Sequence, residues 1–192
     1  MTSDAGNEAA ARLEELGPAV SVVLEIAMDS YFDVVRGLLD IFAAKKGLKV
    51  IYITSSVPSS TMLSVLKTLD VDTKNIYFID CISHLVAGST LPSENAIYID
   101  NPTLLENIVL KADYLSRRLK GGPKLVVLDS INSLSIHNDA KMLSEFLQVL
   151  LSNLKSKEAY PVLISVAGQA KPEIKEMIAL VCDQVIALQG QQ

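Results

Sequence analysis

The residues best placed for chemistry follow the first buried strand, at a turn that leads into a helix. An apolar run, 19–26, is followed by Ala-Met-Asp-Ser-Tyr-Phe-Asp at 27–33 and then by a helix-periodic segment. In α/β proteins such a turn often binds an anion, because free N–H groups and the helix dipole meet there. A phosphate loop of the form G-x-x-x-x-G-K-[ST] needs glycines for close backbone approach and a lysine for the outer oxygens. This turn has neither, and Glu25, Asp29 and Asp33 place carboxylates around it.

Further carboxylates lie at or near the predicted ends of later strands, namely Asp80, Asp100 and Asp129. The carboxyl ends of parallel strands meet at one edge of a sheet, so one hypothesis is an acidic cluster that binds a cation or a basic partner. The other interpretation is structural, with Asp129 and Ser130 forming a helix cap or a turn at the strand end. We favour the structural interpretation.

Two other polar features are also interpreted as structural. Asp29 and Ser30 are well placed to cap the first helix of the α/β unit, and His137 is predicted to be an exposed loop residue. The sequence contains no H-E-x-x-H or C-x-x-C motif and no Ser-His-Asp arrangement that would indicate a different enzyme. We therefore predict no catalytic residue and no metal site.

Composition narrows the class of protein. The chain has 192 residues, 49% of them apolar, and a formal net charge of −5 with lysines and arginines spread along it. We expect residues 1–18 to be an N-terminal extension or short helix and residues 19–192 to be a single domain. The acidic balance argues against nucleic acid as a partner. No apolar run approaches the ~18 residues of a membrane span, and Cys81 and Cys182 lie in apolar segments as expected for buried thiols. We therefore expect a cytoplasmic protein without a membrane partner.

Hydrophobic periodicity predicts alternating strands and helices. The predicted strands are 19–26, 49–54, 76–80, 96–99, 124–129, 160–166 and 184–188, and the predicted helices are 7–16, 34–46, 58–69, 102–119, 139–157 and 172–180. Residues 81–101 are interpreted as a long surface excursion that contains only the small strand at 96–99. The alternation predicts an α/β fold with three α/β/α layers and a mainly parallel sheet.

Four segments in this order resemble a known family. They are Gly-Leu-Lys-Val-Ile-Tyr-Ile-Thr at 47–54, Asn-Ile-Tyr-Phe-Ile-Asp at 75–80, Lys-Leu-Val-Val-Leu-Asp-Ser-Ile-Asn-Ser-Leu at 124–134 and Asp-Gln-Val-Ile-Ala-Leu at 183–188. Together they resemble the RecA-like ATPase superfamily, in particular its KaiC-like branch of archaeal type. The resemblance covers roughly residues 19–188 and implies a RecA-like P-loop NTPase core.

The resemblance also implies that the nucleotide site has degenerated. Counted back from Gly47 at the family's spacing, the P-loop falls on residues 26–33, and its lysine becomes Phe32. The degenerate P-loop position comprises Ile26, Asp29, Ser30, Tyr31, Phe32 and Asp33. The family's catalytic glutamates would fall on Ser55 and Ser56, which cannot act as a carboxylate base. Only a Walker B-like aspartate, Asp129 with Ser130, remains, so the resemblance implies a degenerate Walker A motif and no cofactor.

Two hypotheses from different classes follow. The favoured one is a non-catalytic RecA/KaiC-like pseudo-ATPase, a regulatory or scaffolding subunit that binds itself or an active RecA-like relative. The alternative is a small-molecule binder or enzyme that uses the crevice at the strand ends, or a residual nucleotide-binding ATPase. The crevice residues would be Thr54, Ser55, Ser56 and Gln169, together with Asp129.

Two further expectations concern the aromatic residues of the turn and the surface of the protein. Tyr31 or Phe32 is expected to pack into the volume that a P-loop leaves for phosphate, because burial of an aromatic ring is favourable by roughly 1.5–3 kcal/mol. The mean hydropathy of +0.33 is high for a chain with one core. We therefore expect an apolar face that forms a homodimer, or a heteromer with a related protein, without ATP.

Overall fold

The computed structural model of the chain describes residues 4–87 and 93–188. Within these ranges the strands form one seven-stranded sheet in the order β4-β3-β2-β5-β6-β1-β7, and every pair of neighbouring strands is parallel. The strands are β1 Val22–Ile26, β2 Lys49–Thr54, β3 Ile76–Asp80, β4 Ala96–Tyr98, β5 Lys124–Asp129, β6 Tyr160–Val166 and β7 Gln184–Leu188. The predicted α/β class with a mainly parallel sheet is confirmed.

One helix precedes β1, and the others lie between successive strands. The helices are α1 Asp4–Leu16, α2 Tyr31–Arg36, α3 Ser59–Thr68, α4 Ser83–Ala87, α5 Leu105–Arg118, α6 Ile131–His137, α7 Ala140–Lys155 and α8 Pro172–Val181. A 3₁₀ turn, Met28–Ser30, precedes α2, and a π-helical stretch, Gly37–Ala43, continues it. None of the helices in residues 4–87 and 93–188 has the length and apolar content needed to cross a membrane.

Alternate residues of the strands β1, β2, β3, β5 and β6 pack into two separate cores. In β2, Val50 and Tyr52 face a layer built from α1, α2 and α3, whereas Ile51 and Ile53 face a layer built from α5, α6, α7 and α8. This period of two follows from the pleat, and burial on both faces explains the continuous apolar runs of the strands. The sheet is thus the middle layer of an α/β/α sandwich.

The N-terminal helix belongs to this packing. Residues Ala9 and Leu13 of α1 are buried in the same core as β1, and α1 crosses the junction of α2 with its π-helical continuation, where Gly6 meets Gly37. A Cβ atom on Gly6 would lie 2.5 Å from the carbonyl oxygen of Asp33, and one on Gly37 would collide with the backbone of Gly6. The two glycines therefore permit a helix crossing that is closer than side chains would allow.

The loop prediction for residues 81–101 was partly wrong. A short helix, α4, occupies Ser83–Ala87, and the small strand β4 is present at Ala96–Tyr98. Residues 88–92 of the predicted excursion lie outside the described residues. A second helix, α6, was also missed, and His137 is the last residue of this helix rather than a loop residue, although it is exposed as predicted.

Candidate functional site

Three strands bring polar side chains to the carboxyl edge of the sheet. The register aligns Thr54 of β2 with Asp80 of β3 on one side and with Asp129 of β5 on the other. All three residues are buried. This edge is where ligands bind in open parallel sheets, so its polar contacts decide what the site can do.

Asp129 is the centre of a buried hydrogen-bonded group. The carboxyl group has 0% exposure, and its Oδ2 accepts hydrogen bonds from the hydroxyl of Tyr52 at 2.6 Å and from the hydroxyl of Tyr31. Its Oδ1 accepts a hydrogen bond from Ser56 Oγ at 3.2 Å. We call Asp129, Tyr31, Tyr52 and Ser56 the Asp129 cluster. Both carboxyl oxygens are thus bonded to hydroxyl groups of the protein itself.

Burial controls the protonation of this cluster. It raises the pKa of Asp129 above the ordinary value of 3.8, and the hydrogen bonds from the two tyrosines and Ser56 oppose that rise. Burial and the nearby Asp129 charge also raise the pKa of Tyr31 and of Tyr52. Both tyrosines therefore keep their protons and remain donors to the carboxyl group.

The turn after β1 supplies Tyr31 to the cluster. Tyr31 is 9% exposed, and Phe32 is 42% exposed and packs edge-on against the Tyr31 ring, with 4.9 Å between the ring centroids. Tyr31 begins α2 and faces the core, so the next residue, about 100° further round the helix, points outward. Of the two aromatic rings, Tyr31 is the one that packs inward.

Other residues of the turn do not play the predicted capping role. Neither Ala27, which precedes the 3₁₀ turn, nor Ser30, which precedes α2, caps its helix with a side-chain hydrogen bond. The Ser30 hydroxyl instead donates to Asp29 Oδ1 at 3.2 Å. Ile26 is fully buried at the end of β1, and Asp33 is half-buried on the first turn of α2.

The loop after β2 is tied to the end of β5. Ser55 Oγ donates to the carbonyl oxygens of Asp129 at 3.2 Å and Ser130 at 3.1 Å, and the Thr54 hydroxyl donates to the carbonyl oxygen of Val57 at 2.5 Å. The Asp129–Ser130 peptide bond is cis. Ser130 caps α6, since its hydroxyl oxygen accepts a hydrogen bond from the backbone N–H of Ser133 at 3.3 Å. These hydroxyl groups therefore bond to the protein's own backbone.

Gln169 stands apart from these residues. Its side chain is exposed after β6, and within the described part of the chain no hydrogen bond joins it to Asp129, Ser55 or Ser56. The crevice set from the sequence is thus brought together at Thr54, Ser55, Ser56 and Asp129 but not at Gln169.

The alternative hypothesis of an acidic cluster of Asp80, Asp100 and Asp129, which the sequence did not favour, is not supported by the structure. Asp80 has 0% exposure and accepts four hydrogen bonds, while Asp100 is 86% exposed beside His84. Among residues 4–87 and 93–188, no group of three or more His, Cys, Asp or Glu side chains is arranged to hold a metal ion. Asp80 and Asp129 each accept hydrogen bonds from groups of the protein itself, and Asp100 is exposed.

The donors to Asp80 come from two helix starts. Its carboxylate accepts from the backbone N–H groups of Ser59 at 2.7 Å, Ile82 at 3.0 Å and Ser83 at 2.9 Å, and from the Ser83 hydroxyl at 2.6 Å. Burial raises the pKa of Asp80, but the hydrogen bonds from Ser59 and Ser83 outweigh burial, so the pKa lies below its ordinary value. Asp80 is therefore a charged anchor for α3 and α4.

Both cysteines are free and buried, as expected from the sequence. Burial, with the nearby Asp183 charge, raises the pKa of Cys182 to about 12, and burial likewise raises the pKa of Cys81. A thiol with a raised pKa is a poor nucleophile at neutral pH.

Sequence reasoning missed the role of Tyr52, which looked like an ordinary core residue of β2. A signal was present, because a buried tyrosine normally needs a partner for its hydroxyl. The register pairs Tyr52 with Val127, two residues before Asp129 on the same face of β5. Residues two apart on a strand share a face, so the Asp129 carboxyl group lies within reach of Tyr52.

Comparison with known proteins defines the class of fold. The sequence matches no family model and no curated protein. The structure has the α/β fold of a RecA-like core, and it resembles a solved structure, the KaiC-like protein PH0186 from the hyperthermophilic archaeon Pyrococcus horikoshii OT3. The TM-score is 0.61 at 14% identity over 88% of this chain and 71% of that chain. At this identity the likeness shows the fold alone, so function must be argued from the site.

Proposed function

We propose that this chain is a non-catalytic RecA/KaiC-like pseudo-ATPase that acts as a regulatory or scaffolding subunit through protein–protein contacts. The observation that carries the proposal is the hydrogen bond between Tyr31 and the buried Asp129. Tyr31 stands where the resemblance places a P-loop glycine, and Asp129 stands where it places the Walker B aspartate. A ring that occupies the space beside this carboxyl group leaves no room there for a phosphate and its cation.

The state of Asp129 argues against a magnesium ion. Mg²⁺ requires octahedral oxygen ligands and keeps several of its waters, and in nucleotide sites the phosphates supply part of the shell. Asp129 has 0% exposure, and three hydroxyl groups occupy its two oxygens. Binding a cation would require these hydroxyl groups to leave, which costs their hydrogen bonds and leaves the buried Tyr52 hydroxyl without this acceptor.

The positions expected for a catalytic base argue in the same direction. Ser55 Oγ bonds to two backbone carbonyl groups, and Ser56 Oγ bonds to the Asp129 carboxyl group. A serine hydroxyl cannot take the proton of an attacking water at neutral pH. The same contacts disfavour the small-molecule alternative, since the polar groups of the crevice already bond to one another and Tyr31 packs into it.

The surface above this edge of the sheet supports the interaction role. Segments that follow β1, β3, β4 and β5 carry exposed apolar side chains, and we call these the apolar rim: Met28, Phe32, Leu85, Val86, Leu104 and Ile136. Exposed apolar side chains are common where proteins bind one another, and these six are candidates for such a contact. We propose that this rim contacts a second copy of the chain or an active RecA-like relative.

Light scattering tests the self-association half of this proposal. The chain has a mass of 20.8 kDa, and we expect twice that mass at micromolar concentration with no nucleotide present. Ile136→Lys, at a rim position 77% exposed, should shift the population towards the monomer, because a charge cannot be buried in an apolar contact.

Leu180→Lys is the matched control, since Leu180 is 87% exposed on α8 and lies outside the rim. It should leave the measured mass unchanged. A monomer mass for the unmodified chain at every concentration would remove the self-association claim, and equal effects of the two variants would remove the assignment to the rim.

A further inference from the structure

A second site lies at the opposite edge of the sheet, where β2 and β5 begin. A cleft of about 420 Å³ there is lined by the two loops that enter these strands, 46–49 and 120–124, and by Tyr160. The register places Lys49 directly beside Lys124. The cleft is therefore formed by two neighbouring strand starts and is separate from the Asp129 cluster, which lies at the strand ends.

All the charged residues that line this cleft are positive. Four of its ten lining residues are lysines, namely Lys46, Lys49, Lys120 and Lys124, and none of the ten is Asp or Glu. The chain as a whole carries a net charge of −5, so this local excess opposes the general balance. Like charges this close repel one another unless an anion lies between them.

Contacts of the lysines leave that repulsion in place. Lys124 Nζ donates to the carbonyl oxygens of Gly121 at 2.6 Å and Gly122 at 2.8 Å, which are neutral groups. Lys46 Nζ lies 5.6 Å from the centroid of the Phe42 ring, also a neutral partner. By contrast, the neighbouring Lys45, which does not line the cleft, forms an ion pair with Glu14 at 3.2 Å.

Lys124 is half-buried beside Lys49 at this edge of the sheet. Burial lowers its pKa, and the positive charge of Lys49 lowers it further. An anion in the cleft would stabilise the charged form of this lysine. The backbone of Gly121 and Gly122 leaves the approach open, since a Cβ atom at either position would meet no atom within 4 Å.

We propose that this cleft binds a small anion that carries several charges, of the polyphosphate type. Lysine binds phosphate as a mobile point charge, and four lysines around one cavity match a ligand with several phosphate oxygens. The volume is that of a small-molecule site. An extended nucleic acid fits less well, because it would run from the cleft onto a surface of overall negative charge.

Calorimetric titration with inorganic pyrophosphate tests this site without magnesium, at an ionic strength of about 50 mM so that screening is modest. We expect saturable binding of one pyrophosphate per chain, which weakens as salt is added. Lys46→Gln/Lys120→Gln should weaken this binding about tenfold or more, since charge-assisted contacts to two phosphate oxygens are lost. Both lysines are exposed, so the fold should tolerate the exchange.

Lys141→Gln/Lys175→Gln is the matched control, with the same change of net charge at exposed positions of α7 and α8. It should bind pyrophosphate within about twofold of the unmodified chain, because screening limits distant charges. Absence of saturable binding, an equal loss in both double variants, or tighter binding of a DNA duplex than of pyrophosphate would overturn the proposal. The site requires no magnesium, so its failure leaves the proposed function unaffected.

Discussion

Asp129→Ala is expected to lower the free energy of unfolding by about 2–4 kcal/mol, because the buried hydroxyl groups of Tyr31 and Tyr52 lose their acceptor. Asp129→Asn should change it by less than about 1 kcal/mol, since the amide oxygen can accept from both tyrosines and no charge is buried. Urea unfolding followed by circular dichroism measures both values.

The difference in stability between Asp129→Asn and the unmodified chain should depend on pH. The pKa of Asp129 is raised above 3.8 in the folded chain, so its contribution to stability is complete below the unfolded value and is lost as the pH rises through the folded value. The asparagine variant has no such loss. It should therefore gain stability relative to the unmodified chain as the pH rises above about 4.

Asp29→Ala serves as the control, because Asp29 is exposed on the same turn, and its unfolding midpoint should stay near that of the unmodified chain. An asparagine variant as unstable as the alanine variant would contradict this description of the cluster. It would mean that the tyrosines need the negative charge itself.

Asp80→Ala is expected to lower the free energy of unfolding by about 3–5 kcal/mol, because three backbone N–H groups, two of them buried, and the Ser83 hydroxyl lose a charged acceptor together. Asp80→Asn should lower the free energy of unfolding by most of the same amount, in contrast to Asp129→Asn. Its amide nitrogen would face donors from Ser59 or from Ile82 and Ser83, and a donor cannot accept their hydrogen bonds. The same urea unfolding experiment compares the two aspartates.

The acid side of the stability curve checks the same site. The folded pKa of Asp80 lies below 3.8, so its stabilising contribution is present above the unfolded value and is lost as the pH falls through the folded value. The free energy of unfolding of Asp80→Asn should therefore fall less steeply with decreasing pH than that of the unmodified chain. Asp100→Asn, at a side chain 86% exposed, should leave the curve nearly unchanged, and an Asp80→Asn variant with unmodified stability would contradict the anchor role.

Much of the fold could be predicted because the strands have strong local signals. Five predicted strands, 49–54, 76–80, 124–129, 160–166 and 184–188, have the observed bounds. Each is a run that contains β-branched or aromatic residues, and all but the edge strand β7 are buried between helices. The first strand was predicted at 19–26 and begins only at Val22.

Helix α6 could not be predicted from the local sequence. Its sequence, Ile-Asn-Ser-Leu-Ser-Ile-His, has few strong helix formers. Its helical conformation depends on the Ser130 cap and on the burial of Ile131 and Leu134 in the core. Tertiary packing of this kind is invisible in a propensity pattern.

The candidate site was predictable in part. The sequence indicated that Tyr31 or Phe32 would turn inward but could not choose between them. The choice depends on which of the two rings meets Asp129 in the fold, and only the tyrosine has a hydroxyl group to donate. The lysine cleft was missed, and the description of the lysines as spread out was incomplete. Lys49 and Lys124 are 75 positions apart in the chain, and only the pairing of β2 with β5 brings them together.

Calorimetric titration of ATP in the presence of magnesium tests the pseudo-ATPase proposal most directly. Using the Lys46→Gln/Lys120→Gln variant beside the unmodified chain separates any heat that arises in the lysine cleft from heat at the strand ends. With Tyr31 and Tyr52 bonded to Asp129, we expect no magnesium-dependent binding tighter than millimolar in either protein. Micromolar affinity for ATP that requires magnesium and persists in the double variant would contradict the proposal that this is a pseudo-ATPase.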